Sequence, residues 1–170
     1  MDRIGIFYGS STGNTEKVAT LISNMFGDDA LTINVEDATE QDLDKFKYLI
    51  LGISTWELGD LQDDWTDFVA VLKKADLKDK KVAIFGLGDQ EAYGESFADA
   101  AGLLYSAISR STNIVGQWPT TGYDFVESEA VKNNKFVGLI IDEDNQKELT
   151  TGRVKAWVEI LKKEFGFSEN

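Results

Sequence analysis

Directly after a strand-like run, the chain reads Gly9-Ser10-Ser11-Thr12-Gly13-Asn14-Thr15, and a helical pattern begins at once. A strand, a tight turn and a helix N-terminus recur wherever a phosphate is held, because free amide N–H groups and the helix dipole favour an anion. The hydroxyls of Ser10, Ser11, Thr12 and Thr15 add further donors, and no residue of the turn is basic. The nucleotide-triphosphate loop needs four residues between its glycines, then Lys and Ser or Thr. Here three residues separate Gly9 from Gly13, and Asn14 stands where Lys would be. That spacing disfavours a triphosphate with its metal. The dinucleotide fingerprint G-x-G-x-x-G is absent, both here and at Gly86-Leu87-Gly88. A compact monophosphate wrapped by neutral donors fits. The competing reading is a polar turn with an ordinary helix cap, since Ser, Thr and Asn are common there. A cap needs one hydroxyl, and the surplus favours a ligand.

Two further loops carry an aromatic residue. One is Ser54-Thr55-Trp56-Glu57-Leu58-Gly59, and the other runs from Gly86 through Leu87, Gly88 and Asp89 to Tyr93 and Gly94. A lone Trp in a loop more often plugs the core than touches a ligand. Aromatics on two neighbouring loops, both beside a phosphate turn, change that balance, because two such faces can sandwich a flat ring. A phosphate at one end and a planar ring between aromatics describes flavin mononucleotide, FMN.

The elements that must position these loops alternate along the chain. Short apolar runs at Ile4–Tyr8, Leu31–Val35, Tyr48–Ile53 and Val82–Phe85, and the run Ile114–Trp118 that begins a fifth strand, predict strands. Between them, Val18, Leu21, Ile22 and Met25, then Trp65, Phe68, Val69 and Leu72, fall on helical spacing. Phe97, Ala101, Leu104 and Ile108 predict a long helix, and Val154, Trp157, Val158 and Leu161 a last one. Strands without polar alternation are buried on both faces, which predicts a parallel sheet covered by helices on both sides. The fold class is α/β: a three-layer, doubly wound, five-stranded parallel sheet of order 2-1-3-4-5. Its ligand is expected at the carboxyl ends of strands 1 and 3. The polar and aromatic stretch at about 119–136, opened by Pro119, reads as an insertion splitting the fifth strand, which resumes over Phe136–Ile141. Residues 1–170 read as a single domain.

Composition narrows the chemistry. The chain has no Cys and no His, so thiol catalysis, disulfides and the commonest general base and metal ligand are excluded. A net charge of -13 repels nucleic acid and anionic membranes and favours basic partners at salt-sensitive rates. No apolar run is long enough for a bilayer span and no leader pattern precedes the first strand, so a cytoplasmic protein is expected.

The turn Gly9–Thr15, Thr55-Trp56-x-x-Gly59, Gly86-Leu87-Gly88-Asp89-Gln90-x-x-Tyr93, Gly122-Tyr-Asp-Phe125 and Phe136-Val-Gly-Leu-Ile-Ile-Asp-Glu-Asp-Asn145 together resemble the flavodoxins, in order and across the chain. The split fifth strand resembles the long-chain subgroup. This resemblance implies a low-potential, one-electron carrier that uses non-covalent FMN in place of a ferredoxin. It assigns the phosphate to Ser10, Ser11, Thr12, Gly13, Asn14 and Thr15, and the ring faces to Trp56 and Tyr93. Ser54, Thr55, Leu87, Gly88 and Asp89 would line the ribityl chain and the ring's polar edge, with Asp144 a further ribityl candidate. Glu57 and Leu58 would flank the ring. Two features depart from a common pattern of the family: Ser54 stands where Pro is frequent, and Glu57 places a charge beside the flavin.

Implied partners are transient and basic, such as a flavodoxin/ferredoxin-NADP reductase and acceptor oxidoreductases, with no nucleic acid and no membrane, and the carrier is expected to be a monomer. A flavodoxin-like NAD(P)H quinone reductase is the alternative, although it needs substrate room over the ring. A receiver domain would need acidic residues at the end of strand 1, where Tyr8-Gly9-Ser10-Ser11 stands. A non-redox binding module would take up no FMN.

Overall fold

The computed structural model describes residues 3–9, 13–56, 60–61 and 63–167, with Trp56 and Asp60 described by their backbone alone. Four strands lie side by side: β1 (Ile4–Tyr8), β2 (Ala30–Asn34), β3 (Tyr48–Trp56) and, after the short β4 (Asp60–Leu61), β5 (Lys81–Leu87). The fifth position is shared by β6 (Asn113–Val115) and β10 (Leu139–Ile141). β6 pairs with Lys81–Ala83 and β10 with Phe85–Leu87, so both halves lie in parallel along the same edge of β5. In chain order the parallel strands therefore run 2-1-3-4-5, with the fifth split as expected.

Side chains alternate between the faces of a strand, and here both faces are apolar. Ile4, Ile6, Tyr48, Ile50, Ala83, Phe85, Leu139 and Ile141 join one core cluster. They pack with Val18 and Ile22 of α1 (Asn14–Phe26) and with Val154, Trp157 and Leu161 of α5 (Thr150–Glu164). Their neighbours Phe7, Leu49, Leu51, Ile53, Val82, Ile84 and Ile140 join the other cluster. That one is covered by α2 (Glu40–Asp44), α3 (Asp63–Lys74) and α4 (Asp99–Ile108). The five-residue α2 is too short to show an apolar repeat. β2 differs from the expectation of burial on both faces: it is the edge strand, and Leu31 and Thr32 are exposed.

The insertion forms a small antiparallel sheet of β7 (Trp118–Pro119), β8 (Val131–Lys132) and β9 (Lys135–Phe136), in the order β7-β9-β8. Trp118 and Phe136 pair with each other there, so neither belongs to the fifth strand as the apolar runs predicted. Gly116 (φ +83) turns the chain out of the main sheet, and its carbonyl accepts from Trp157 Nε1 at 2.8 Å. On the return, a Cβ at position 138 would lie 1.8 Å from the Ile84 carbonyl oxygen, a clearance only glycine gives. The predicted start of α4 at Phe97 is also corrected. The helix begins at Asp99 because the insertion takes up the backbone of Phe97: its N–H donates to Glu127 O at 3.2 Å and its carbonyl accepts from the Ser128 hydroxyl.

Candidate functional site

The carboxyl ends of β1, β3, β5 and β10 meet at one edge of the sheet, where the strand order reverses and doubly wound folds place their ligands. A cleft of about 380 Å³ opens there, within the range of small-molecule and cofactor sites. Asn14 lines it from α1, Ser54 and Thr55 from β3, and Leu87, Gly88, Asp89 and Tyr93 from the end of β5 and its following loop. Asp144 lines it from the segment after β10. Eight of the residues singled out in the sequence are thus brought to one concavity from four separate segments.

Thr15 is buried, and its hydroxyl is hydrogen-bonded to that of Ser54, which ties the first turn of α1 to the end of β3. Gly13 has φ +90, and a Cβ there would meet nothing within 4 Å, so its outer side is open. Ser10, Ser11, Thr12, Glu57, Leu58 and the side chain of Trp56 lie outside the described residues. One face of the cleft is therefore described by Tyr93, which is 41% exposed and lines it.

Local hydrogen bonds explain how these positions are fixed. The Thr55 hydroxyl accepts from Ala100 N at 3.1 Å, satisfying an amide in the first turn of α4 where the N-cap, Ala98, has no side-chain acceptor. A Cβ on Gly88 would sit 2.9 Å from Ala98 N, so the floor closes over this glycine. Asp89 Oδ1 accepts from Ala92 N at 2.8 Å, Asn145 Nδ2 at 2.8 Å and Glu91 N at 3.1 Å. Burial alone would raise the Asp89 carboxyl, but these three donors outweigh it and hold it below the ordinary range.

Sequence reasoning missed the residues behind the cleft. Asp142 is fully buried. Its Oδ2 accepts from Gln90 Nε2 at 2.7 Å, Asn145 Nδ2 at 2.9 Å and Gln90 N at 3.1 Å. Its Oδ1 accepts from Asn145 N at 3.0 Å and Asp144 N at 3.1 Å. Gln90 Oε1 in turn accepts from Asp124 N at 2.6 Å. One carboxylate thereby locks the Tyr93 loop to the segment after β10, and Gln90 extends the lock to the insertion. The available signal was a carboxylate directly after the wholly apolar Leu139–Ile141. Ser96, Phe97, Ala98 and Glu143 also line the cleft.

Glu143 bears on the missing cation. Its Oε1 lies 2.7 Å from Lys17 Nζ, and its Oε2 accepts from Thr150 Oγ1 at 2.8 Å. The lysine of the first turns of α1 is thus engaged by a carboxylate of the cleft. Asp144, on the rim, has its carboxyl raised, first by desolvation and then by the charges of Asp89, Asp142 and Glu143. A carboxyl raised in the folded state binds its proton more tightly there than when unfolded. Its ionised form therefore disfavours the fold above that folded-state value, and the penalty disappears as pH falls through it. Asp144→Asn is expected to raise the melting temperature at pH 7, with the gain shrinking as pH falls through the carboxylate range. Thermal melts of both proteins across that range check it, and a gain that persists in acid refutes the assignment.

Within the insertion, the Tyr123 hydroxyl donates to Ile140 O and accepts from Trp118 Nε1 at 3.0 Å. Burial pushes this phenol up to about 12. Arg153 stacks over its ring at 4.1 Å. The insertion is thus pinned to β10 as well as to the Tyr93 loop.

A sequence model of the family described as Flavodoxin matches residues 6–157. The chain is 49% identical over 166 residues to a flavodoxin of Nostoc sp. (strain PCC 7120 / SAG 25.82 / UTEX 2576), covering 96% of this chain and 98% of that one. It is 51% identical over 166 residues to a flavodoxin of Synechocystis sp., covering 95% and 97%. Its fold is similar to a crystal structure of Fusobacterium nucleatum flavodoxin bound to flavin mononucleotide, with TM-score 0.88, 34% identity and coverage of 96% and 99%.

Proposed function

The chain belongs to the flavodoxin family, and from that premise we propose that its cleft holds FMN and that the protein carries single electrons between redox enzymes. It is an electron-transfer protein rather than an enzyme. The observation that carries this reading is the joining of neutral donors, backbone edges and the exposed face of Tyr93 in one cleft at the switch point of the sheet. Those residues fit the group. Asn14, Thr15 and the turn Ser10–Gly13 would hold the phosphate with neutral donors. Ser54, Thr55 and Asp144 would line the ribityl chain. Leu87, Gly88 and Asp89 would meet the ring's polar edge, with Trp56 and Tyr93 on its faces and Glu57 and Leu58 beside it.

When bound, FMN supplies the one-electron redox chemistry, and the protein tunes it. Tyr93 excludes water from the ring. Asp89 and Asp144 place negative charge on the rim and oppose the arrival of an electron. One carboxylate about 10 Å from new negative charge, at an effective dielectric of about 20, costs roughly 1.7 kcal/mol. For a one-electron couple that is about 70 mV, and salt reduces it for exposed groups. The acidic rim therefore favours a low potential, suited to a carrier that stands in for a ferredoxin.

We assign the chain to the long-chain subgroup, supported by the three-stranded sheet that separates β6 from β10. Residues 1–170 are treated as one FMN-binding domain with the insertion inside it. The partners of this reading are basic reductases and acceptor oxidoreductases, met transiently by a monomer in the cytoplasm. Among the described residues no helix is long and apolar enough to cross a membrane. The quinone reductase reading gains nothing from the Nostoc and Synechocystis relatives, both named flavodoxin.

An anaerobic reductive titration followed by absorbance tests the function. The purified protein is expected to be yellow, to release one FMN per chain on acid denaturation, and to take up two electrons in separate steps. A colourless protein that fails to take up added FMN would overturn the reading. Steady NADPH oxidation with a quinone, with no reductase added, would replace it with the enzyme.

A further inference from the structure

The most exposed large apolar side chain among the described residues is Val126, at 77%. It stands on the insertion, away from the lining of the FMN cleft. Its position is fixed rather than loose: Val126 N and Glu127 N both donate to Gly94 O, at 2.8 and 3.0 Å. A β-branched side chain on such a backbone has few rotamers to lose on contact. Grooves flank it on both sides. One, of about 550 Å³, lies between the insertion and the Tyr93 loop, with Tyr93, Phe125 and Val126 in its wall. The other, of about 320 Å³, has Phe125, Val126 and Val131 in its wall.

The charge lining these two grooves is of one sign. Glu91, Glu95 and Asp124 line the first groove and Glu127 the second, and neither is lined by Lys or Arg. The nearby Lys132 lies 3.9 Å from Glu129. An apolar centre inside a charged rim is the anatomy of a protein docking surface. The four carboxylates disfavour a second copy of this chain as occupant, because a symmetric contact would set like charges together. The surface is also continuous with the cofactor cleft, since Tyr93 and Ser96 line both.

We propose that the Val126 ridge and its two grooves form a docking site for a redox protein that presents an apolar side chain flanked by Lys or Arg. The proposal rests on the carrier reading and deepens it, by locating the partner's anchor on the insertion rather than on the rim of the flavin cleft. Val126 supplies apolar contact that salt does not screen. Glu91 and Glu95 supply attraction that it does.

The test is stopped-flow reduction of the FMN-loaded full chain by a basic ferredoxin-NADP reductase, as a function of salt. A small acceptor, ferricyanide, serves as the control that needs no docking. Val126→Asn is expected to lower the second-order rate constant about tenfold at every salt concentration, giving a parallel line. Glu91→Gln with Glu95→Gln is expected to lower it at low salt only, giving a flatter line. In Val126→Asn, FMN affinity, both potentials and the ferricyanide rate should stay at wild-type values, and the Glu91→Gln with Glu95→Gln variant should keep its FMN affinity. A Val126→Asn rate within twofold of wild type overturns the proposal, and so does a matching fall in the ferricyanide rate, which would place the effect on the flavin. Failure of the carrier reading is separately visible, because wild type without flavin would serve neither reaction, and the docking site would fall with it.

Discussion

Replacing Asp142 with Ala is expected to destabilise the protein by about 3 kcal/mol or more and to loosen the Tyr93 loop. The carboxylate is buried and accepts from five donors, three on Oδ2 and two on Oδ1. Each buried donor left without an acceptor costs about 1–3 kcal/mol. Five such costs, about 5–15 kcal/mol, would match the whole stability of an ordinary domain, so water entry and loop relaxation recover part. Asp142→Asn separates charge from shape. Its amide NH2 must face either the Gln90 donors or the amides of Asp144 and Asn145, whichever way it is turned. It should therefore cost about 2 kcal/mol, since it restores one acceptor and adds a misplaced donor. Urea unfolding of the FMN-free protein measures both. Values under 0.5 kcal/mol would show that the network does not hold these loops.

Replacing Tyr93 with Ala is expected to weaken FMN binding about tenfold to a hundredfold, whereas Tyr93→Phe leaves it within about threefold. Stacking of a nucleobase on an aromatic side chain is worth about 1–3 kcal/mol, and a flavin offers a comparable face. The hydroxyl should matter little, because ring area and not hydrogen bonding carries a stack. Tyr93 is 41% exposed with its backbone fixed through Asp89 O, so its loss should cost the FMN-free fold little. Fluorescence titration of FMN into each protein decides it. Equal affinities for Ala and Tyr at position 93 would remove this residue from the ring wall. These two substitutions act on opposite sides of one loop. Asp142 should change stability first and affinity second, and Tyr93 the reverse.

Much of the fold was legible because buried parallel strands leave short unbroken apolar runs and amphipathic helices leave a 3.6-residue repeat. Val82–Phe85 and Val18–Met25 are such cases. The insertion was legible by its interruption of that rhythm. Its edges were not, since Trp118 and Phe136 are as apolar as true strand residues, and what assigns them to the small sheet is their pairing with each other. The start of α4 was misplaced for a related reason. Phe97 keeps the helical spacing, but its backbone is spent on Glu127 and Ser128, about thirty residues away along the chain.

By itself the sequence determined the layered α/β fold, the loops that carry the chemistry and the residue types in them, because periodicity and turn composition are local properties. Only the tertiary structure decided that Lys17 is engaged by Glu143, that the Thr55 hydroxyl caps α4, and that Asp142 and Gln90 lock three segments together. Those pairings span long separations. A buried donor takes whichever acceptor the packed layers bring within reach, and no local pattern in the chain records which one that is.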